Sequence, residues 1–169
     1  QFGFDHAVVW RGVPSALGRS AFWWEAPDGS TVRAEYLPEG YGNGAVLPME
    51  GKELVARIDA FVDRYGPMLE GAPPEGGGQG EPDPILWMNG TDHQLPQPHL
   101  GRVVAEANDG QDELRFTVTS LADHLAQAPR EGLPTWSGEL RSGATANLLM
   151  GVASCRVDVC DGSADLDVL

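Results

Sequence analysis

The sequence predicts an α/β fold, and three observations lead there. Two short apolar runs, HAVVW at residues 6–10 and ILWM at residues 85–88, have the length and the turn-forming exits of buried strands. Between them, residues 52–65 carry apolar side chains at helical spacing. Strand and helix patterns go on alternating after that, the mark of layered, largely parallel sheets with right-handed crossovers.

With 169 residues, 41% of them hydrophobic, the chain has the size of one domain and the means to build a core. Its 25 acidic residues against 11 basic ones leave a net charge of -14. Binding to phosphate backbones rests on clustered Lys and Arg, so the balance argues against nucleic acid as a partner and against an anionic membrane surface. No apolar run reaches the roughly 20 residues that cross a bilayer. The opening QFGFDHAVVW lacks the basic and apolar regions of a secretory signal, and the expected compartment is the cytoplasm. Cys155 and Cys160, with no further Cys or His at ligand spacing, read as reduced thiols.

Taken in order, the first run delivers Arg11 into the loop Arg11-Gly12-Val13-Pro14. Residues 21–26 and 31–37 are aromatic and alternating segments either side of Pro27-Asp28-Gly29-Ser30, which predicts a hairpin inserted into the α/β pattern. Residues 38–48 set Gly40, Gly42, Asn43 and Gly44 around Tyr41; only tertiary contacts fix so free a backbone, which makes this loop a functional candidate. Leu54, Val55, Ile58, Phe61, Val62 and Tyr65 share one helical face, and Gly66-Pro67 is expected to stop that helix. Residues 72–84, rich in Gly, Pro and acid, read as a flexible surface connection.

Residues 84–98, PILWMNGTDHQLPQP, are the stretch around which the rest is organised. The expected strand ends in Asn89-Gly90, and what leaves it is Thr91-Asp92-His93. Polar residues just past the carboxyl end of a buried strand face the crevice where ligands bind, so Asp92 is the first candidate carboxylate. Residues 100–108 predict a short helix with Val103, Val104 and Ala107 inward. Residues 114–119 alternate as a strand. Ser120-Leu121-Ala122-Asp123 has the form of a helix start, and the helix should reach about Ala128, before Pro129. Residues 133–141 read as irregular and residues 144–157 as a buried helix.

No phosphate loop and no GxSxG occur. His93 directly follows Asp92, a spacing that cannot turn both side chains onto one metal ion. What remains is a polar set at strand exits: Arg11, the loop from Tyr36 to Gly44 with Tyr41, Asp92 and Trp136. Each has a plainer alternative: Arg11 as a surface ion pair, Tyr36 and Tyr41 as loop packing, Trp136 as core and Asp92 as a turn cap.

Six segments, FGFDHAVVWRGVP, FWWEAPDGS, AEYLPEGYGNG, LWMNGTDHQLPQP, TSLADHL and LPTWSGELRS, resemble in this order the catalytic domain of the bacterial α-mannosidases of glycoside hydrolase family 38. The likeness runs from Gln1 to about Val159, leaving residues 160–169 as a divergent acidic tail. It implies part of a seven-stranded β/α barrel in a retaining α-mannosidase that acts on terminal α-linked mannose in α-mannosides or mannose-containing oligosaccharides. By the same matching Asp92, in Gly90-Thr91-Asp92, resembles the family's acid/base, while Arg11, Tyr36 or Tyr41, and Trp136 resemble residues of its sugar site. Such an acid has to keep its proton near neutrality, which burial beside groups such as Trp87 and a neighbouring nucleophile would favour. The resemblance also implies zinc. The family's metal-binding His-x-Asp and its nucleophile precede the matched region, and a further ligand His follows it. The chain is therefore read as an internal fragment, inactive alone, whose partner is the remainder of the mannosidase chain. The rival reading is a non-catalytic carbohydrate-binding or assembly module that stacks sugars on Trp136 and the tyrosine loop.

Overall fold

The computed structural model describes residues 3–69 and 84–148. Among them, four strands, β1 (His6–Val9), β2 (Ala21–Glu25), β3 (Thr31–Tyr36) and β4 (Thr135–Ser137), form one sheet in the order β1-β3-β2-β4. Three helices accompany it, α1 (Gly51–Leu69), α2 (Leu100–Asp109) and α3 (Leu121–Gln127), with a 3-10 turn at Ser15–Leu17. The fold is mixed α/β.

β2 and β3 form the expected antiparallel hairpin, in register from Ala21↔Glu35 to Glu25↔Thr31. Its turn closes through the Ser30 N–H, which donates to the Asp28 carboxylate at 2.9 Å, and the Ala26 N–H, which donates to the Ser30 carbonyl at 2.8 Å. The hairpin is not an insertion, however. β1 adds in parallel to the free side of β3 and β4 adds in parallel to the free side of β2, so the hairpin is the middle of the sheet. The reason lies in its two faces, both of which are buried, as suits a central pair rather than an appended ribbon.

One face carries Phe22, Ala34 and Tyr36, which join Val13 in a core cluster lined by Val9, Trp24, Met68, Trp136 and Leu140. The alternation of β3 sends Arg33 and Glu35 to the other face. There they form a 2.6 Å ion pair with both side chains buried, and the Arg33 Nε–H donates to the Pro129 carbonyl at 2.7 Å. α3 lies over this face. It starts as predicted, with Ser120 Oγ accepting the Asp123 N–H at 3.1 Å and donating to its carboxylate at 2.7 Å. Its His124 is buried with Nε2 lacking a hydrogen-bond partner, and desolvation, then the charge of Arg33, lowers its pKa from 6.5.

α1 buries Leu54, Ile58 and Phe61, each worth about 1.5–3 kcal/mol on leaving water. It runs through Pro67, not up to it. So near the end a proline removes only the bond to the carbonyl four residues back, and the terminal Met68 carbonyl is satisfied by the Ser20 N–H at 3.1 Å. α2 packs on α1 with Val103 and Ala107 fully buried and Val104 partly so, as the spacing predicts.

Two expected strands are absent. Residues 84–91 and 114–118 run outside any named strand and pack their apolar side chains, Ile85, Trp87, Leu114 and Phe116, against α1 and α2. Apolar runs report burial, but a strand also needs a ladder partner, and side chains take that place here. Residues 133–141, read as irregular, include β4. Of the expected helix at residues 144–157, residues 144–148 are not helical and the rest lie outside the described residues, as do residues 72–83 of the surface connection, Cys155, Cys160 and the tail.

Candidate functional site

At the exit of β1, Trp10 and Arg11 begin a corner. The Arg11 guanidinium lies over the Trp10 ring, its Cζ 4.4 Å from the centroid, and Tyr41 meets the same ring edge-on at 5.2 Å. Gly40, at φ 93°, lets the loop pass here, since a Cβ would stand 2.6 Å from the Trp10 ring. On the other side Gly12, at φ 84°, bridges to Ser142, and a Cβ there would stand 2.1 Å from the Leu140 carbonyl oxygen.

The glycine-rich loop is shaped from outside. Arg57 of α1 donates to the carbonyls of Asn43 at 2.9 Å, Ala45 at 3.0 Å and Val46 at 2.9 Å, with its guanidinium 5.2 Å from the centre of the Trp87 ring. Asn43 then clasps the segment beyond: its amide donates to the Leu86 carbonyl at 3.0 Å and its oxygen accepts the Met88 N–H at 2.8 Å. The Gly44 N–H donates to the Met88 carbonyl at 3.1 Å and the Asn89 amide to the Gly44 carbonyl at 2.8 Å. Thr91 sits over Gly42, 3.5 Å from where a Cβ would be. The chain then turns at Asp92 and His93, closed by the Gln94 N–H to the Thr91 carbonyl at 3.3 Å.

Backbone strain gathers at this place. Among the described residues the non-glycine positions with positive φ are Glu39 at 67°, Val46 at 50° and His93 at 65°, two in the glycine-rich loop and one beside Asp92. Left-handed conformations cost free energy for side-chain-bearing residues, most for a β-branched one such as Val46, and persist where surroundings over-determine them. Glu39 is held by Arg64 at 3.1 Å and the Tyr65 hydroxyl at 3.4 Å, Val46 by Arg57.

Of the residues singled out from sequence, Tyr41 lies in this loop, Arg11 stacks on the Trp10 ring that Tyr41 meets, and Asp92 follows Thr91, which sits over Gly42. Tyr36 does not lie in the loop: it is the last residue of β3, 2% exposed, with its ring in the core cluster. The strand alternation that turns Arg33 and Glu35 away turns Tyr36 inward with Ala34. Trp136 lies on β4, at the edge opposite β1, packed on the same cluster, with its indole N–H 3.4 Å from the Glu139 carbonyl. Asp92 is exposed, and Trp87 gives it no apolar cover. That ring turns inward instead, edge-on to Phe61 at 5.3 Å.

Asn43 and Asn89 stand in the sequence reading only as loop and turn residues, and Arg57 and Gln97 are absent from it. Two signals could have found them. Arg57 falls between Leu54 and Phe61 on the otherwise apolar stripe of α1, and Gln97 stands between Pro96 and Pro98, which have no N–H to offer a ladder.

Among the described residues no three His, Cys, Asp or Glu side chains converge to match the zinc that the resemblance implies. The described helices are also not long and apolar enough to cross a membrane.

Two relationships say what this chain is similar to, and both relatives carry names of the glycosidase type. The chain is 29% identical over 178 residues to a protein of Halalkalibacterium halodurans named "Putative mannosylglycerate hydrolase", with 93% of this chain and 18% of that protein covered. Its structure matches the crystal structure of an α-mannosidase from Enterococcus faecalis with a TM-score of 0.62 and 27% identity, over 80% of this chain and 15% of the other. No protein-family profile matches. The chain thus spans less than a fifth of either relative, and both relationships fit a fragment of a mannosidase like those of glycoside hydrolase family 38.

Proposed function

We propose that the chain is the part of a retaining α-mannosidase catalytic domain that supplies the general acid/base, Asp92, and that the complete protein removes terminal α-linked mannose. The observation that carries this is the shared loop: the Asp92 turn and the Arg11–Trp10–Tyr41 corner both adjoin one strained, glycine-rich segment. In the complete protein the four-stranded sheet would form part of a seven-stranded β/α barrel. The nucleophile and the zinc ligands would come from outside this chain, and no step is assigned to the metal.

In this reading Asp92 protonates the oxygen of the departing group while a second carboxylate, roughly 5–5.5 Å away, attacks the anomeric carbon; Asp92 then takes a proton from the water that releases mannose. Tyr41, 46% exposed, offers an aromatic surface to the sugar, and the Arg11 guanidinium offers donors to its hydroxyls. Asp92 is exposed in this chain, so the apolar cover an acid needs would be supplied by the rest of the domain.

The test is hydrolysis of α-mannosides by the complete protein. Asp92→Asn is expected to slow a substrate with a basic alkoxide leaving group by about 100-fold to 10,000-fold, the usual contribution of acid catalysis. A dinitrophenyl mannoside, whose leaving group needs no proton, should lose far less in its first step. Equal losses on both substrates would refute the role of Asp92. The isolated chain should give no turnover with either substrate in the presence of zinc, and Asp92-dependent turnover by it would overturn the fragment reading.

A further inference from the structure

The carboxamide of Gln97 makes four contacts and has no capacity left. Its Oε1 accepts the Leu47 N–H at 2.9 Å and the Asn89 amide at 2.9 Å; its Nε2 donates to the Leu47 carbonyl at 3.0 Å and meets His99 Nε2 at 3.1 Å. A primary amide has two N–H groups and two acceptor lone pairs, so all four are used. The Leu47 contacts fix which end is oxygen and which is nitrogen, because one is an N–H and the other a carbonyl. It follows that His99 Nε2 accepts, and that the proton of a neutral His99 lies on Nδ1.

Together with Asn89, this clasp spans both ends of the segment that carries Asp92. Asn89 lies three residues before Asp92 and Gln97 five after it, and both are tied to the glycine-rich loop, at Gly44 and Leu47. Pro96 and Pro98 on either side of Gln97 contribute no N–H, so the neighbouring backbone has little to replace the clasp. We propose that Gln97 is the positioning residue of the Asp92 turn, holding the acid against the loop that carries Tyr41. The proposal deepens the mannosidase reading and rests on it for the catalytic meaning of Asp92.

The experiment is nuclear magnetic resonance on the 169-residue chain. In Gln97→Ala, the hydrogen-bonded backbone amides of Gly44, Leu47 and Gln94 are expected to exchange at least about tenfold faster, the loss of one clasp read as local opening, while those of β2, β3 and α1 keep their rates. Unchanged exchange at these three amides, or acceleration spread evenly over the sheet and helices, would overturn the proposal. Gln97→Glu keeps the shape and the acceptor but removes both donors, and serves should the alanine variant fail to fold. The ring nitrogens of neutral His99 should report an unprotonated Nε2 in the wild type and a protonated Nε2 in Gln97→Glu, and a protonated Nε2 in the wild type would refute the clasp. None of these readouts needs substrate, so their failure removes the role of Gln97, whereas failure of the mannosidase reading shows in the hydrolysis assay.

Discussion

In the centre of the sheet, β2 and β3 satisfy their backbone groups against each other and against β1 and β4. Residues 84–91 and 114–118 have apolar side chains just as ready to bury, but they join no strand among the described residues. Their N–H and carbonyl groups are met by amide side chains: Asn43 takes both the Leu86 carbonyl and the Met88 N–H, and Asn108 takes the Phe116 carbonyl at 3.0 Å and its N–H at 2.8 Å. A carboxamide offers one donor and one acceptor side by side, as a neighbouring strand does, and so completes buried backbone where no ladder is available. The difference teaches that the sheet is ordered by repetition, whereas the candidate site is ordered by a few individual side chains.

The contrast breaks most visibly in the sheet. Arg33→Met takes the guanidinium away from the buried Glu35 carboxylate and the Pro129 carbonyl, and is expected to cost about 3–5 kcal/mol, the usual loss when one member of a buried ion pair is removed. Chemical denaturation checks it, and a loss below about 1 kcal/mol, the worth of an exposed pair, would show that the pair is not desolvated. The next effect belongs to the loop layer. Arg57→Ala removes three charge-assisted bonds to carbonyls, with an expected cost of about 2–3 kcal/mol concentrated at residues 43–46. Limited proteolysis should find new cleavage there before the sheet opens; simultaneous loss of both would mean that the two regions are not separable.

The smallest effect concerns pH. Because the pKa of His124 is lowered by burial, the unfolded chain takes up this proton first as pH falls below 6.5. Stability is therefore unaffected above that range and declines as pH drops through it, levelling off once the folded pKa is passed. As pH falls from about 7.5 to about 5.5, His124→Leu should lose less stability than the wild type. Parallel pH profiles of thermal unfolding for the two proteins would sink the assignment.

Much of this architecture can be read in the chain, and the limits have physical causes. The hairpin is legible because Pro27-Asp28-Gly29-Ser30 is a local turn, α1 and α2 because apolar spacing is periodic, and the start of α3 because Ser120 and Asp123 close on each other. Ile85 to Met88 misleads, since burial and ladder pairing leave the same mark on composition. Tyr36 misleads because it stands two residues before the loop it resembles, and alternation along β3 decides its side. Arg11, Tyr41 and Asp92 are found as polar groups at chain exits, but the carboxamides that set their frame have partners 43 to 50 residues distant, and no spacing rule anticipates those.

The left-handed Val46 carries one more consequence. Its side chain is 64% exposed, so no packing of its own offsets the strain, and the bond from Arg57 to its carbonyl is what keeps that geometry. A peptide of this loop, or the loop transplanted onto another scaffold without the helix that carries Arg57, would relax to ordinary torsions and lose its shape. Whoever borrows the loop has to take the helix with it.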